Sequence, residues 1–258
     1  MREMIHILKS LAIAFSIYSK IPVPQFEWAK EDMRYMLCFF PWVGAAVGEC
    51  LYLWNCLCAK WMIGGTCRAA IGAAIPLIIT GGFHVDGFMD TMDAFHSYGP
   101  KEKKLEILKD AHIGAFAVIM LAAYGLIYLG AYSEVTDIRL LRAVCGGFFL
   151  SRCLSGIGVV SFPAAKKEGT LSLFADSARK RVVKGALYIQ GALCIGFMLL
   201  QGIGAGIVVA AAFFAFLYYG FRSRKELGGI SGDTAGYFVL LCEGGMMAAA
   251  AAVDIFLL

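Results

Sequence analysis

The densest group of potentially reactive side chains lies in residues 81–93, which read Gly-Gly-Phe-His-Val-Asp-Gly-Phe-Met-Asp-Thr-Met-Asp. Asp86, Asp90 and Asp93 share one face of a helix that has about 3.6 residues per turn. Carboxylates at this spacing repel one another. A Mg²⁺ ion, which binds carboxylates together with water and substrate phosphates, would remove that conflict. The pattern therefore predicts a magnesium site for phosphate chemistry, with a solvated acidic loop as the alternative.

A histidine accompanies these aspartates. His84 follows the glycine pair directly and stands two residues before Asp86. Imidazole at such a place can act as a general base or orient a phosphate. We predict catalytic roles for His84, Asp86, Asp90 and Asp93. A packed histidine without a chemical role is the alternative.

A second glycine-rich segment, Gly-Gly-Ile-Ser-Gly-Asp-Thr-Ala-Gly, covers residues 228–236 just before the last apolar stretch. Glycines let backbone amides approach a phosphate closely, and the N-terminus of the following helix favours an anion. We predict that Gly228, Gly229 and Gly232 bind substrate and that Asp233 is a metal ligand or a helix cap. By itself the segment is also typical of an ordinary turn.

Charged side chains inside or beside apolar stretches supply further candidates. Each charge at the centre of a membrane helix costs about 2.5–3.5 kcal/mol, so Arg152 and Glu243 need a reason to be there. We predict that both bind substrate, and the alternative is that each pairs with an opposite charge. Lys109 and Asp110 end a short charged segment after the aspartates, and we predict that they also contact substrate.

The composition indicates a membrane protein. Of the 258 residues, 60% are hydrophobic and 16% are charged, whereas soluble domains have about 25% charged residues. The net charge of +4 is too small to indicate nucleic-acid binding. Most of the nine cysteines lie singly in apolar runs, where cysteine behaves as a small hydrophobic residue.

Seven apolar stretches reach or approach the length of about 20 residues that a membrane span requires. They cover residues 36–59, 69–83, 113–132, 139–162, 184–201, 203–221 and 236–258. The stretch Ile5–Tyr18 is shorter and precedes Ile-Pro-Val-Pro, which predicts an interfacial or re-entrant helix. The sequence therefore predicts an all-α, polytopic integral membrane bundle, with one domain over residues 1–258 and about seven transmembrane helices.

The distribution of basic residues predicts the orientation. Lysine and arginine cluster in the polar connections 84–112, 163–183 and 222–235. Seven spans place these connections on one side, and the positive-inside rule makes that side cytoplasmic. The candidate site is therefore expected on the cytoplasmic side of the cell membrane, the inner membrane where there are two.

The motifs themselves carry a family resemblance. Residues 81–93, 105–114 and 228–236 resemble the corresponding motifs of the cobalamin synthase family, the adenosylcobinamide-GDP ribazoletransferases. Shorter matches follow the family's order at residues 21–24, 40–44, 151–152 and 167–169. The resemblance covers nearly the whole chain, and the first motif is highly specific.

The resemblance implies a membrane enzyme that transfers the cobinamide-phosphate moiety of adenosylcobinamide-GDP to α-ribazole, or to α-ribazole 5′-phosphate, and releases GMP. It implies a need for Mg²⁺, which Asp86, Asp90, Asp93 and Asp233 would hold against the diphosphate. His84 or an aspartate would deprotonate the attacking hydroxyl. The expected partners are these two substrates and the lipid bilayer, and the sequence does not indicate an oligomeric state.

Other functions also place acidic groups in a membrane protein. A CDP-alcohol phosphotransferase or a prenyl-pyrophosphate transferase would use a similar metal site, but neither family's aspartate pattern is present. A cation or corrinoid transporter would carry its acids along a path near the membrane midplane. The acids here cluster at one rim instead, which favours an enzyme.

Overall fold

The computed structural model describes residues 2–166 and 170–257, and within these ranges the regular secondary structure is helical. The family match at residues 167–169 lies outside the described residues. The helices are α1 (Arg2–Tyr18), α2 (Met36–Trp61), α3 (Gly65–Thr80), α4 (Phe83–His96), α5 (Lys101–Ile107), α6 (Ala115–Glu134), α7 (Ile138–Ser161), α8 (Thr170–Ser177), α9 (Lys180–Leu199), α10 (Ile203–Leu227) and α11 (Gly232–Leu257). A short 3-10 helix, Lys30–Met33, lies between α1 and α2.

The prediction of a polytopic helical membrane bundle is confirmed. Six helices, namely α2, α6, α7, α9, α10 and α11, are long and apolar enough to cross a membrane. Helices α3 and α4 meet the same test only as a pair, which is bent by 95°. The number of spans is thus six, or seven if the bent pair counts as one.

The bend between α3 and α4 follows from the glycine pair. Gly81 and Gly82 have φ values of 63° and 78°, in the left-handed region that side chains other than glycine rarely adopt. The amide of Gly81 bonds to the carbonyl of Leu77 and ends α3. Gly82 then starts α4 in a new direction, so the chain turns sharply just before the acidic motif.

Helix α4 corrects the prediction that residues 84–112 form a polar connection. The segment 83–96 is helical, and Phe88, Met92 and Phe95 on it are buried against Tyr237 and Leu240 of α11. Apolar residues interleaved with the aspartates give α4 a face that must be covered. The acidic motif is therefore part of the packed bundle.

The connection predicted at 222–235 is also shorter than expected. Helix α10 continues to Leu227 and α11 begins at Gly232, which leaves only residues 228–231 between them. The charged residues Arg222 and Lys225 lie on the last turns of α10, because a helix can extend beyond the apolar stretch that its hydropathy marks. Both glycine-rich predicted site segments thus lie next to a helix end.

Helix α1 is fixed to the bundle by one acidic residue. The buried carboxylate of Asp32 accepts hydrogen bonds from His6 Nδ1 at 2.7 Å and Lys9 Nζ at 3.1 Å, and Ser10 Oγ donates to the Asp32 backbone carbonyl. Burial raises the pKa of Asp32, but the bonds from His6 and Lys9 outweigh it and leave the pKa below its ordinary value. The polar face of α1 is thereby attached to the segment before α2. The placement of α1 at the membrane interface stays a prediction.

Candidate active site

Helices α4 and α11 approach each other so closely that only glycine fits between them. A β-carbon on Gly87 would lie 2.7 Å from the carbonyl oxygen of Asp233, and one on Gly236 would lie 3.0 Å from that of His84. The first turns of both helices are therefore in backbone contact. This contact brings together the acidic motif and the glycine-rich motif, which are far apart in the sequence.

Three of the four predicted metal ligands meet at this contact. Asp86 is exposed, while Asp90 and Asp233 are half-buried. Asp90 experiences the negative charges of Asp86, Asp233 and Asp93 together, and Asp90 itself has no cation or hydrogen-bond donor as a partner in the described part of the chain. A half-buried carboxylate among other carboxylates is unfavourable without a ligand.

Asp93, the remaining predicted ligand, has an evident structural partner. Its two carboxylate oxygens accept hydrogen bonds from the backbone amides of Gly114, at 2.7 Å, and Ala117, at 2.8 Å. These amides belong to the start of α6, where the first N–H groups of a helix lack intrahelical acceptors. Asp93 therefore caps α6 from a neighbouring helix, which leaves it less free than Asp90 to bind a cation.

The carboxylates do not form a complete metal site by themselves. Among residues 2–166 and 170–257, no three acidic, histidine or cysteine side chains converge closely enough to hold a metal ion. Mg²⁺, however, is commonly bound by one or two carboxylates and completes its shell with water and substrate phosphates. Asp86, Asp90 and Asp233 provide oxygen donors of that kind, and they fit a Mg²⁺ that arrives with a phosphate substrate.

The three predicted glycines have different roles. Gly228 has a φ of 76° and ends α10, and a β-carbon on Gly229 would lie 2.4 Å from the carbonyl oxygen of Pro163. These two glycines serve the chain turn and the contact with the segment after α7. Gly232 lines the cavity beside Asp233, and its predicted contact with substrate stays a prediction.

The start of α11 is held in a fixed conformation. The hydroxyl of Ser231 accepts from the Thr234 amide at 3.1 Å, and the hydroxyl of Thr234 accepts from the Ser231 amide at 2.8 Å. Both residues are buried. This reciprocal cap keeps Asp233, which lies between the two, in position on the first turn.

A lysine that was not predicted as a site residue lies beside the acids. Burial, together with the charge of Lys109, lowers the pKa of Lys166, while the charge of Asp233 opposes this. Lys166 therefore lies near Asp233 and near Lys109, although α6 and α7 separate the two lysines in the sequence. The basic cluster in 163–183 was the only sequence signal for Lys166.

Asp110, which was predicted to contact substrate, is paired with a neighbour. It accepts hydrogen bonds from the backbone amide and the ring of the exposed His112, and these bonds hold the pKa of Asp110 below its ordinary value.

Arg152 and Glu243 pair with each other in the core. Arg152 is 1% exposed and Glu243 6% exposed, and the guanidinium donates to the carboxylate. Ser151 Oγ, at 3.2 Å from Glu243, and the carbonyl oxygen of Phe148, at 3.0 Å from Arg152, complete the group. The structure therefore confirms the alternative that each of these two residues pairs with an opposite charge. The predicted substrate contacts of these two residues stay predictions.

Two cavities border this part of the bundle and share His84. One, of about 320 Å³, lies between α3, α4, α6 and α11 and is lined mainly by apolar residues, with the Arg152–Glu243 pair at its wall. The other, of about 240 Å³, is lined by Asp86, Asp233 and several aromatic rings. His84 is buried, and neither of its ring nitrogens is hydrogen-bonded to any residue that the structure describes. Its predicted role as a general base stays a prediction.

The fold and the site together define the class: a polytopic helical membrane protein with neighbouring carboxylates where α4 meets the start of α11, and with one lysine near them. The model of the cobalamin-5-phosphate synthase family matches residues 10–251. The chain belongs to this family, so the resemblance inferred from its motifs is confirmed. No solved structure matches the chain.

Similar proteins carry one name. The chain is 42% identical over 237 residues to adenosylcobinamide-GDP ribazoletransferase of Lachnoclostridium phytofermentans, which covers 92% of this chain and 90% of that protein. It is 31% identical over 241 residues to the enzyme of the same name from Clostridium perfringens, at 91% and 94% coverage. The protein of that name from Listeria monocytogenes is 30% identical over 235 residues, at 89% and 92% coverage. These likenesses favour the ribazoletransferase interpretation over the lipid-pyrophosphate enzymes and the transporters.

Proposed function

We propose that this chain is a Mg²⁺-dependent adenosylcobinamide-GDP ribazoletransferase whose active site faces the cytoplasm. The observation that carries the proposal is the group formed by Asp86, Asp90 and Asp233, with Lys166 near Asp233 and Lys109 near Lys166, in a chain whose relatives bear this name. Carboxylates and lysines at one site suit a diphosphate that is bound together with a divalent cation.

The reaction forms one phosphorus–oxygen bond and breaks another. A ribose hydroxyl oxygen of α-ribazole, or of its 5′-phosphate, bonds to the phosphorus that carries cobinamide. The bond from this phosphorus to the bridging oxygen of the diphosphate breaks, and GMP leaves with that oxygen. The product is adenosylcobalamin or its 5′-phosphate. The hydroxyl proton passes to a carboxylate oxygen of Asp86 or Asp90 that is not bound to the metal.

The chain's residues would supply position and charge rather than covalent chemistry, as is usual in phosphoryl transfer. Asp86, Asp90 and Asp233 would hold the metal, whose bound charge would neutralise the diphosphate oxygens. Lys166 and Lys109 would bind the outer phosphate oxygens and stabilise the GMP that leaves. Asp93 would keep α4 in register with α6, so that the other carboxylates stay on the substrate side.

The cytoplasmic orientation is supported by the convergence of the basic connections. The segment after α7 pairs with the one before α11 through the Ala165 amide and the Ile230 carbonyl, at 2.8 Å. A protease site inserted between Tyr98 and Gly99 is expected to be cut in inverted membrane vesicles and protected in intact cells. A matched site between Gly64 and Gly65, at the turn from α2 to α3, should behave in the opposite way. The reverse pattern at both sites would contradict the orientation.

The activity is tested by GMP release from purified protein in liposomes, given adenosylcobinamide-GDP and α-ribazole. We expect release that requires both Mg²⁺ and α-ribazole, with formation of the cobalamin product. Release without α-ribazole would indicate a hydrolase at the same site. No release with either acceptor would contradict the proposal, and CDP-alcohols and prenyl pyrophosphates would then be the substrates to test.

A further inference from the structure

The cavity of about 240 Å³ beside the carboxylates has an unusual lining. Four aromatic rings surround it, from α1, α2, α4 and α8. They belong to Tyr18, Phe40, Phe83 and Phe174. The polar side chains at its wall are His84, Ser155, Asp86 and Asp233, together with the hydroxyl of Tyr18. Asp86 and Asp233 stand at the same wall, so a ligand in the cavity reaches the acidic group directly.

His84 is the polar group that the fold leaves unsatisfied in this cavity. Its side chain is buried, and neither Nδ1 nor Nε2 has a hydrogen-bond partner among the described residues. The imidazole is nearly parallel to Tyr18, at 6.1 Å and 13°, and to Phe40, at 5.7 Å and 25°, while Phe83 meets it edge-on at 5.6 Å. Buried polar groups without partners are rare in native structures and need an explanation. A ligand that bonds to the imidazole provides one.

The lining defines the chemistry of the occupant. Rings on several sides select a flat aromatic group, because aromatic rings pack favourably against one another. A volume of about 240 Å³ is below the range of about 300–1,000 Å³ that drug-sized ligands occupy, so the cavity fits one bicyclic base and excludes a corrinoid ring.

The base of α-ribazole is a flat bicyclic ring that suits the aromatic lining, and it can form a hydrogen bond with His84. A benzimidazole that is joined to ribose through one nitrogen has a single free ring nitrogen, which is an acceptor. A neutral imidazole has a single N–H donor. One hydrogen bond therefore pairs the free nitrogen of the base with the N–H of the imidazole, and places the attached ribose on the side of Asp86 and Asp233.

We infer that this cavity binds the heteroaromatic base of the acceptor nucleoside, with His84 donating a hydrogen bond to its free ring nitrogen. The inference rests on the proposed function, because it names the place where the acceptor of that reaction is held. It assigns His84 to substrate positioning and leaves the proton of the attacking hydroxyl to a carboxylate. The neighbouring cavity of about 320 Å³ is a weaker candidate, since none of the four aspartates lines it.

The test measures equilibrium binding of α-ribazole to purified protein in liposomes, without the second substrate. We compare it with an analogue whose free ring nitrogen is replaced by CH. Wild-type protein is expected to bind the analogue about tenfold more weakly, the effect of one lost hydrogen bond whose buried partner stays unsatisfied. His84→Phe keeps an aromatic ring but has no donor, so it should bind both ligands with the same, weak affinity. His84→Gln restores a donor and should recover part of the preference for α-ribazole.

Phe149→Leu is the matched control, because Phe149 packs edge-on against Trp42 on another side of the bundle. It should leave both affinities unchanged, whereas Phe40→Leu should weaken both by a similar factor. Equal affinity of wild-type protein for the two ligands, or an unchanged preference in His84→Phe, would overturn the inference. GMP release measured on the same preparations tests the activity separately. A nitrogen-dependent preference without GMP release would support the base site while contradicting the proposed function.

Discussion

Charged side chains lie in two neighbouring regions of the bundle, and the two regions treat charge differently. In the core, Arg152 and Glu243 bond to each other and to Ser151, so their charges are balanced inside the protein. At the contact between α4 and α11, Asp90 lies among other carboxylates without a balancing partner in the described residues. Repulsion between the carboxylates therefore makes the second region unfavourable when no ligand is bound.

This difference separates charges that the fold has already satisfied from charges that await a ligand. A buried ion pair is retained when both members are hydrogen-bonded. An unbalanced acidic group at the end of a bundle lowers stability and persists where a bound cation or substrate restores the balance. Arg152 is more deeply buried than Asp90, so burial alone would make Arg152 the stronger candidate for a functional residue. Because Arg152 is already paired with Glu243 and Asp90 has no partner among the residues that the structure describes, Asp90 is the stronger candidate.

The largest expected effect is on turnover at the unbalanced site. Asp90→Asn removes a charge on which metal and diphosphate binding depends, and it should reduce kcat by at least about 10²-fold. Stability should stay the same or rise slightly, because repulsion with Asp86 and Asp233 is relieved. GMP release and thermal unfolding in detergent measure the two effects. Glu102→Gln, on the exposed face of α5, is the control, and near-normal turnover of Asp90→Asn would contradict the assignment.

A substitution in the Arg152–Glu243 pair should mainly reduce stability, whereas Asp90→Asn should mainly reduce turnover. Arg152→Met leaves the Glu243 carboxylate buried without a partner, which should cost about 3–5 kcal/mol of unfolding free energy. The double replacement of Arg152 and Glu243 by methionine should recover most of this loss, because no charge then remains buried. Denaturation of the single and double variants in detergent checks the pattern. A stable Arg152→Met protein with a raised KM would instead place the pair in the substrate site.

Gly87→Ala tests the contact that connects the two motifs. The added β-carbon would meet the Asp233 carbonyl at 2.7 Å and force α4 away from α11. A displacement of about 1 Å at a reacting centre can reduce the rate by about 10²-fold. Gly125→Ala on α6, where nothing lies within 4 Å of the new atom, is the control. Equal activity of the two variants would mean that the Asp86–Asp233 geometry is not needed.

A third charged group, around Asp32, is balanced like the core pair but lies outside the spans. Asp32→Asn should reduce stability by about 1.5–3 kcal/mol, the contribution of hydrogen bonds to a charged group. Because the folded-state pKa of Asp32 is lowered, its contribution is present above the ordinary carboxyl pKa and is lost as pH falls through the folded-state value. Stability curves of wild type and variant should therefore converge in acid. A difference that is independent of pH would contradict this.

The sequence was informative where local rules suffice. Hydropathy located the spans, and the predicted division between the stretches 184–201 and 203–221 is confirmed, since α9 ends at Leu199 and α10 begins at Ile203. The acidic triad was correctly placed on a helix, because spacing within one helix is a local property. Sequence reasoning failed at helix ends, where packing extended α10 and α11 and converted the start of the predicted connection 84–112 into α4.

Contacts between residues that are far apart in the chain could not be predicted from the sequence. Asp93 carries the same carboxylate and the same helix register as Asp86 and Asp90, yet it caps α6 because the amides of Gly114 and Ala117 lie beside it. Lys166 had no motif that marked it as a site residue, and it is near Asp233 only because α7 ends where α11 begins. Long-range geometry of this kind depends on how helices cross, which local spacing does not encode.

The sequence by itself determined that the protein is a helical membrane protein, the number of spans to within one, the family, and the two motifs that meet at the site. These follow from hydropathy and from residue types at short spacing. Only the tertiary structure decided which charges are balanced, that His84 lies between two cavities and how closely α4 approaches α11. Charge balance and cavity shape are sums over side chains from several helices, so they exist only when the bundle is assembled.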